Sequence, residues 1–211
     1  MEILYFNELK STQTFLIDNI LDKRVSPPIA VITKRQTGGV GSRDNSWEGG
    51  EGNLFFSFAI DLDDLPSDLP IGSASIYFSF IMKEILKEFV DDIWLKWPND
   101  LYYKKSKIGG TITKKIDNIL VCGMGINLKK NSNSYKALNI NIEPDFLLKS
   151  YIDKLKKPLD WKQVFSKYAI EFKRSKKVST HIQGEYKSLE NAVLSEDGSL
   201  IINNKRVYSL R

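Results

Sequence analysis

The sequence predicts an α+β protein, because strand-like and helix-like segments are mixed along residues 1–175 and a different pattern follows them. Residues 29–32 and 53–60 are apolar runs typical of buried strands, whereas residues 71–89 carry apolar side chains through several helical turns. In the last part of the chain, short apolar runs alternate with turn residues, a pattern typical of a small antiparallel β module. We therefore expect a main domain of residues 1–175 and a small C-terminal β domain of residues 176–211.

The other elements follow from the same signals. Ser11 precedes a helical apolar pattern, so Ser11 or Thr12 is the expected N-cap. Pro98 cannot donate to a sheet ladder, so the strand before it ends there, and Asn99 and Asp100 are expected in a turn. Further strands are predicted at residues 2–6, 93–95, 108–113, 119–122 and 125–128, the last two joined across glycines, and further helices at residues 144–157 and 161–174.

Composition limits the classes of function. The net charge of +5 permits anionic ligands without demanding nucleic acid, since 31 basic and 26 acidic residues are interspersed. Cys122 is the one cysteine and His181 the one histidine, so an internal disulfide is excluded and no Cys/His metal cluster or Ser/His pair with a supporting motif can be assembled. Lys83 and Lys87 interrupt the longest apolar stretch, which argues against a membrane span. A soluble cytoplasmic protein is expected.

A glycine-rich loop occupies residues 36–52, with six glycines in seventeen residues. Loops of this length in compact domains are usually functional or disordered. Backbone amides in such a loop can wrap a carboxylate or phosphate, and Arg43 offers a charge-assisted contact. Trp47 strengthens the prediction of a binding loop, because a loop tryptophan usually covers something flat or apolar.

The stretch from Lys96 to Gly110 carries the densest chemistry of the chain. Asn99 supplies an amide, Asp100 a carboxylate that could hold a cation, and Lys107 a positive charge next to a pair of glycines that permit close backbone approach. These residues are typical of an anion-binding site, although an ordinary surface turn with solvated lysines would give the same residues. Asn127 follows two glycines, and two interpretations of it are open. Its side chain contacts a ligand, or it only makes a hydrogen bond within its own turn.

Four stretches in this order resemble the biotin–protein ligase family: Ser11-Thr12, residues 36–47, residues 96–110 and residues 123–127. The segment Lys-Trp-Pro-Asn-Asp-Leu, with a lysine seven residues after its Asp100, is the most specific of them. The resemblance covers most of the chain. It implies a mixed β-sheet with helices on one side, followed by a small all-β barrel-like module.

The resemblance also implies roles for individual residues. Ser11, Thr12 and Gln36 would line the ureido end of biotin, and Lys107 would contact the biotin carboxylate and the reacting phosphate. Arg43 would assist at that phosphate. The pocket would be closed by Gly39, Val40, Gly110, Gly123 and Gly125. On the nucleotide side, Trp47 would flank the adenine, Asn99 and Asn127 would contact the nucleotide, and Asp100 would hold Mg²⁺.

The sequence departs from the family pattern in the glycine-rich loop. The family loop typically reads Gly-Arg-Gly-Arg-x-Gly-Arg before the tryptophan, and here Val40, Ser42 and Asn45 stand where positive charges are usual. Arg43 is retained. The few residues before Ser11 are too short for a DNA-binding domain, so a monofunctional ligase is expected rather than a repressor.

The activity implied by the resemblance is ATP-dependent biotinylation. Biotin and ATP would give biotinyl-5′-AMP with the help of Mg²⁺, and a lysine of a biotin carboxyl carrier protein would accept the biotinyl group. No DNA or membrane partner is expected, and a homodimer is open. Two other interpretations are a lipoate or octanoate ligase on the same scaffold and a non-catalytic nucleotide- or RNA-binding protein.

Overall fold

The computed structural model describes residues 1–42, 45–47, 50–130, 135–182 and 185–208. It confirms the α+β architecture. The strands are β1 Glu2–Leu9, β2 Ile29–Gln36, β3 Gly39–Val40, β4 Ser46–Trp47, β5 Leu54–Asp61, β6 Ile93–Lys96, β7 Asp100–Tyr103, β8 Ser106–Ile116, β9 Ile119–Ile126, β10 Ser179–Ile182, β11 Glu185–Ser188, β12 Val193–Leu194, β13 Leu200–Ile202 and β14 Lys205–Val207. The α-helices are α1 Thr12–Leu21, α2 Ala74–Leu86, α3 Pro144–Leu155 and α4 Trp161–Ser175.

The central sheet has the strand order β1-β2-β5-β9-β8-β7-β6. β1 and β2 are parallel, with α1 as the crossover between them, and the remaining pairs are antiparallel. The sheet is therefore mixed, as the family resemblance implies. Strands β5, β9 and β8 form its middle, and the middle of this sheet carries the candidate site.

Helices cover both faces of the sheet. On one face Phe56 and Phe58 belong to the main core together with side chains of α2, α3 and α4. Alternate side chains of a strand point to opposite faces, so Val31 and Ala59 face the other way and pack against α1. The expectation of helices on one side only is wrong, because α1 needs an apolar surface of its own to bury Leu16.

Helix α2 is buried almost throughout, as its continuous apolar pattern predicts. Its buried lysine, Lys83, forms an ion pair with Glu171 Oε2 of α4 at 2.8 Å. The other carboxylate oxygen of Glu171 accepts a hydrogen bond from the backbone N–H of Leu95 at 2.7 Å. One carboxylate thus joins two helices to β6, the strand that leads to Asn99 and Asp100.

Two details of the strand prediction are wrong. Residues 119–126 form one strand, because β5 and β8 pair with β9 on both sides through Gly123 and Gly125 without a break in register. Asp100 does not lie in the turn but begins β7, where it pairs with Lys96 and Gly110. Partners distant in sequence therefore keep these residues extended where local signals predict turns.

The C-terminal strands form two small sheets, β10-β11 and β12-β13-β14, in the described residues. The prediction of one barrel-like module is corrected accordingly. The turn before β13 is anchored to the main domain, since the indole N–H of Trp97 donates to Gly198 O at 2.9 Å and that of Trp161 to Glu196 O at 2.8 Å. Leu200 joins the main core. The division into two domains stays a prediction.

Each described helix is too short or too polar to span a bilayer.

Candidate active site

A cavity of about 390 Å³ lies where the N-terminus of α1 meets the middle of the sheet. Ser57 of β5 and Gly123 of β9 are direct neighbours across the sheet, and Ile112 of β8 follows next to Gly123. By strand alternation these positions share the face of Ala59, which packs against α1. The cavity therefore lies on the α1 face of the sheet, beyond the end of that helix.

Glycines leave the backbone of the cavity floor uncovered. A Cβ atom at Gly123 would lie 2.5 Å from Gln13 Oε1, and one at Gly125 would lie 2.5 Å from Trp47 Nε1. Such distances are shorter than van der Waals contact, so any side chain here would displace Gln13 or Trp47 into the cavity. Gly110, the neighbour of Gly125 in β8, has its nearest such contact at 3.5 Å.

One end of the cavity is a hydrogen-bonded cluster. Gln36 Oε1 accepts from the backbone N–H of Thr12 at 2.8 Å and from the Thr12 hydroxyl at 3.2 Å. The Ser57 hydroxyl donates to Thr12 Oγ1 at 2.9 Å. Ser11 caps α1, as predicted, because its hydroxyl accepts from the N–H of Thr14 at 3.3 Å. This end can therefore recognise a polar, neutral group by hydrogen bonds.

The opposite end is charged. Lys107 Nζ lies 2.6 Å from Asp100 Oδ1 and 5.7 Å from the centre of the Trp47 ring. The side chains of Lys107 and Asp100 are 41% and 18% exposed, so the pair stands at the mouth of the cavity. A carboxylate or phosphate entering here would compete with Asp100 for the ammonium group.

A second cavity of about 400 Å³ adjoins the first, and both share Asn99 and Lys107. It is further lined by Lys96, Pro98, Asp100 and Tyr102 and by Thr180, His181 and Tyr186 of the β10-β11 hairpin. Burial, followed by the charge of Asp100, raises the pKa of Tyr102 to about 12. The Tyr102 phenol is therefore neutral at physiological pH and able to donate a hydrogen bond.

The two predicted asparagines are held differently. Asn99 is buried, and its Nδ2 donates to Thr111 O at 2.6 Å. Asn127 Nδ2 donates to Lys136 O at 3.2 Å, whereas its buried Oδ1 has no hydrogen-bond partner among the described residues. The side chain of Asn127 therefore does not hydrogen-bond within its own turn, because its amide nitrogen donates to the following loop.

Most of the predicted site residues line the first cavity. These are Ser11, Thr12, Gln36, Val40, Trp47, Asn99, Lys107, Gly110, Gly123 and Gly125. Asp100 lines the second cavity, and Asn127 borders neither of the two. Gly39 lies beside the first cavity, where a Cβ would come within 2.8 Å of Gln36 Nε2. Arg43 lies outside the described residues.

Outside the glycine-rich loop, sequence reasoning missed five residues that line the first cavity, namely Gln13, Ser57, Thr111, Ile112 and Met124. Ser57 carried a usable signal, because it is the one polar residue among residues 54–60. Gln13 directly follows Ser11-Thr12 and could have been included with them. The other three lie on β8 and β9, and only the sheet pairing brings them to the cavity.

The described residues contain no group of three or more His, Cys, Asp or Glu side chains that could hold a metal ion. Magnesium, however, is commonly bound through one or two carboxylates together with substrate phosphates. Asp100, at the boundary of the two cavities, fits this mode of binding.

A model of the Biotin/lipoate A/B protein ligase family matches residues 5–131. Among solved structures, that of biotin acetyl coenzyme A carboxylase synthetase from Helicobacter pylori with bound biotinylated ATP is 40% identical, with a TM-score of 0.93, and covers 98% of this chain and 99% of that chain. Biotin protein ligase from Aquifex aeolicus in complex with biotin and ATP is 21% identical, with a TM-score of 0.70, over 100% of this chain and 96% of that chain, and shares the fold.

Curated relatives include the bifunctional ligase/repressor BirA of Salmonella typhimurium, which is 25% identical over 219 residues. The match covers 96% of this chain and 63% of that protein. BirA of Escherichia coli is 31% identical over 127 residues, which cover 57% of this chain and 38% of that protein. The chain thus spans less than two thirds of the length of these two relatives.

Proposed function

Because the chain belongs to the Biotin/lipoate A/B protein ligase family, we propose that it is an ATP-dependent biotin–protein ligase. In the first step a biotin carboxylate oxygen bonds to the α-phosphorus of ATP, and pyrophosphate leaves, which gives biotinyl-5′-AMP. In the second step a lysine amine of a biotin carboxyl carrier protein attacks the anhydride carbonyl. An amide forms, AMP leaves and the amine loses a proton.

The observation that carries this proposal is that one cavity has a neutral hydrogen-bonding end and a positively charged end. The hydrogen-bonded cluster of Thr12, Gln36 and Ser57 lies at one end, and Lys107 lies at the other. Biotin has the matching shape, with a neutral ureido group at one end and a carboxylate at the other. The biotinylated ATP in the similar Helicobacter pylori protein supports this assignment.

Charge neutralisation is the main chemical requirement of the first step, since it brings two anions together. Two unit charges about 4 Å apart repel by roughly 4 kcal/mol at an effective dielectric of 20. Lys107 would leave Asp100 to contact the biotin carboxylate and the α-phosphate. Asp100 would then hold Mg²⁺, which neutralises phosphate charge when it is bound.

The nucleotide would occupy the region between the two cavities. Trp47 would flank the adenine, and Asn99 would contact the phosphates or ribose from the wall that both cavities share. Asn127 borders neither cavity, so it would act on the nucleotide side only through the following loop, which its amide holds at Lys136 O. Arg43 stays a proposed phosphate contact.

The reaction needs no side-chain nucleophile. The single cysteine, Cys122, is fully buried, and burial raises the pKa of its thiol well above the ordinary value. Catalysis would come instead from orientation of the two substrates and from fixed charges in a cavity shielded from water.

The hydrogen-bonded cluster favours biotin over lipoate or octanoate. The acyl chain of octanoate and the dithiolane of lipoate cannot donate hydrogen bonds, so they would leave buried polar groups unpaired. Each such group costs about 1–3 kcal/mol. Lys107 is the one cationic side chain among the described residues that line this cavity, which argues against a site for the phosphate backbone of RNA.

Incorporation of labelled biotin into a biotin carboxyl carrier protein tests the complete activity. We expect labelling that requires ATP and Mg²⁺ and that disappears when the acceptor lysine of the carrier is replaced by arginine. Labelling of the carrier by lipoate or octanoate, with none by biotin, would contradict the proposed substrate.

A further inference from the structure

One wall of the second cavity is not used by the proposed formation of the adenylate. The cavity shares Asn99 and Lys107 with the first cavity, and these two residues serve the nucleotide in the proposed function. Another wall is formed by Thr180, His181 and Tyr186 of the β10-β11 hairpin. The second reaction step needs a path by which a lysine of another protein reaches the anhydride next to Lys107.

The β10-β11 hairpin is anchored in the core and exposes one aromatic ring. Ile182 at the end of β10 and Leu189 after β11 belong to the main core. His181 and Tyr186 are direct partners in the hairpin, and the centres of their rings lie 4.6 Å apart. Tyr186 is 79% exposed, the largest value among the large apolar side chains that the structure describes. Its ring therefore lines the cavity without contributing to the packing of the core.

A second aromatic ring, that of Tyr102, lines the same cavity and is held by its neighbours in the sheet. Tyr102 of β7 pairs with Trp94 of β6, and the centres of their rings lie 5.0 Å apart. Lys96 Nζ lies 5.5 Å from the centre of the Tyr102 ring, and Arg174 Cζ lies 4.8 Å from that of Trp94. A ring that is packed in this way on a strand forms a fixed wall of the cavity.

Two aromatic rings and a carboxylate suit a lysine side chain. Its four-carbon stem packs against the rings while its amine reaches beyond them. Tyr102 and Tyr186 supply the rings, and Asp100 supplies a hydrogen-bond acceptor in the same cavity. Lys96 and Lys107 also line the cavity, but Asp100 and the phosphate of a bound adenylate offset their positive charges. Among the described lining residues and the adenylate, an incoming amine thus meets no net positive charge.

We propose that the second cavity is the entrance for the acceptor lysine and that the β10-β11 hairpin is a contact surface for the carrier protein. This inference rests on the proposed function. The lysine stem lies against Tyr102 and Tyr186, and its amine nitrogen bonds to the anhydride carbonyl carbon beside Lys107. The bond from that carbon to the AMP oxygen breaks, AMP leaves, and the proton of the amine passes to water.

Single-turnover transfer from biotinyl-AMP bound to the full chain tests the proposal with three nucleophiles, namely a biotin carboxyl carrier protein, Nα-acetyl-lysine amide and hydroxylamine. Tyr186→Ala should lower the rate for the two lysine nucleophiles about five- to tenfold, because their stem loses a ring that packs against it. Hydroxylamine has no such stem, so its rate should not change. Tyr186→Phe keeps the ring and should restore the rate. Tyr208→Ala is the matched control, since Tyr208 is 54% exposed and borders neither cavity.

A bulky group on the hairpin tests whether the carrier protein enters past Tyr186. Cys122 is the one cysteine of the chain and is 0% exposed, so a maleimide reacts with the thiol that Tyr186→Cys introduces. Labelling of this variant with a large maleimide should stop transfer to the carrier protein. Transfer to hydroxylamine and biotin-dependent exchange of pyrophosphate into ATP should continue, because neither needs the carrier. The unlabelled variant is the control.

The outcomes separate the acceptor site from the proposed function. Transfer to the carrier protein at the wild-type rate in Tyr186→Ala, or in the labelled variant, would overturn the acceptor site. The same loss for hydroxylamine or for pyrophosphate exchange as for the carrier would also overturn it, because the hairpin wall would then serve the adenylate and not the acceptor. Absence of biotinyl-AMP formation by the wild type itself would overturn the proposed function instead.

Discussion

At the scale of single residues, Lys107 is the clearest functional candidate. Its ammonium is held by Asp100 at 2.6 Å, next to Trp47 and at the boundary of both cavities. The ion pair with Asp100 holds the Lys107 ammonium group at the mouth of the cavity. Replacement of Asp100 by substrate carboxylate and phosphate would turn a resting ion pair into a catalytic contact.

Lys107→Ala should lower the rate of biotinyl-AMP formation by about two to three orders of magnitude, as removal of an oxyanion donor does in other enzymes. Biotin-dependent exchange of pyrophosphate into ATP measures this step. Lys105→Ala is the control, because Lys105 is exposed on the adjacent turn and lines neither cavity. Exchange at the wild-type rate in Lys107→Ala would remove Lys107 from the mechanism.

The glycine floor gives a graded prediction. Gly123→Ala would place a Cβ 2.5 Å from Gln13 Oε1 and displace that side chain at the end of the cavity proposed for biotin, whereas Gly110→Ala has its nearest contact at 3.5 Å. We expect Gly123→Ala to weaken biotin binding about tenfold or more and Gly110→Ala to have the smaller effect. The reverse order of the two dissociation constants would contradict the assignment of the floor.

At the scale of elements, buried polar contacts fix the strand that leads into the site. Glu171 of α4 binds the buried Lys83 of α2 and the backbone of Leu95 in β6. Directly after β6, the turn of residues 97–99 places Asn99 in the cavity wall. The ends of β6 and β7 are therefore positioned by helices on the opposite face of the sheet.

Glu171→Gln should lower the free energy of unfolding by about 2 kcal/mol or more, because the charge of buried Lys83 loses its closest partner. Denaturation in urea measures this. The pair of Lys154 with Glu88, at 4.0 Å with side chains 58% and 61% exposed, offers a matched control. Glu88→Gln should change stability by less than about 0.5 kcal/mol, and equal effects of both substitutions would refute the structural role of Glu171.

Helix α4 is capped from a distant loop. Asp68 accepts hydrogen bonds from the backbone N–H groups of Trp161 and Lys162 at 2.9 and 3.0 Å. The bond from Lys162, followed by that from Trp161, lowers the pKa of the Asp68 carboxyl. Asp160 is the N-cap residue of α4, and its backbone N–H donates to Gln163 Oε1 at 3.2 Å.

Asp68→Ala should destabilise the fold by about 1 kcal/mol at neutral pH, as loss of a helix cap does. Because the folded-state pKa is lowered, this stabilisation is complete above a pH of about 4, the pKa of an unperturbed aspartate, and is lost as the pH falls through the folded-state pKa. Urea denaturation at a series of pH values, with the exposed Asp64→Ala as control, should show the difference shrinking in acid. A difference that grows below pH 4 would contradict the contact.

At the scale of the whole molecule, the sequence predicted what depends on local periodicity. The helices α2, α3 and α4 and most central strands follow from their apolar patterns. The sequence did not predict the features that depend on strand pairing between distant parts of the chain. Asp100 and the glycines of β9 have turn-like local signals, yet neighbouring strands on both sides keep them extended.

Among the site residues, too, those in local motifs were predicted and those brought together by the fold were not. Thr12, Gln36 and Lys107 could be named because they lie in recognisable motifs. Ser57 and Gln13 carried only weak local signals, because their importance comes from their convergence on Gly123 in the folded sheet. Sheet pairing and the placement of α1 over β5 bring these groups together in one cavity.

The most direct test of the proposed function is exchange of labelled pyrophosphate into ATP, with biotin, lipoate and octanoate in parallel and no acceptor protein present. We predict exchange that depends on biotin, which isolates adenylate formation from transfer. Exchange with lipoate or octanoate alone would contradict the assignment of the acid. Absence of exchange with all three acids would contradict the proposed catalytic activity.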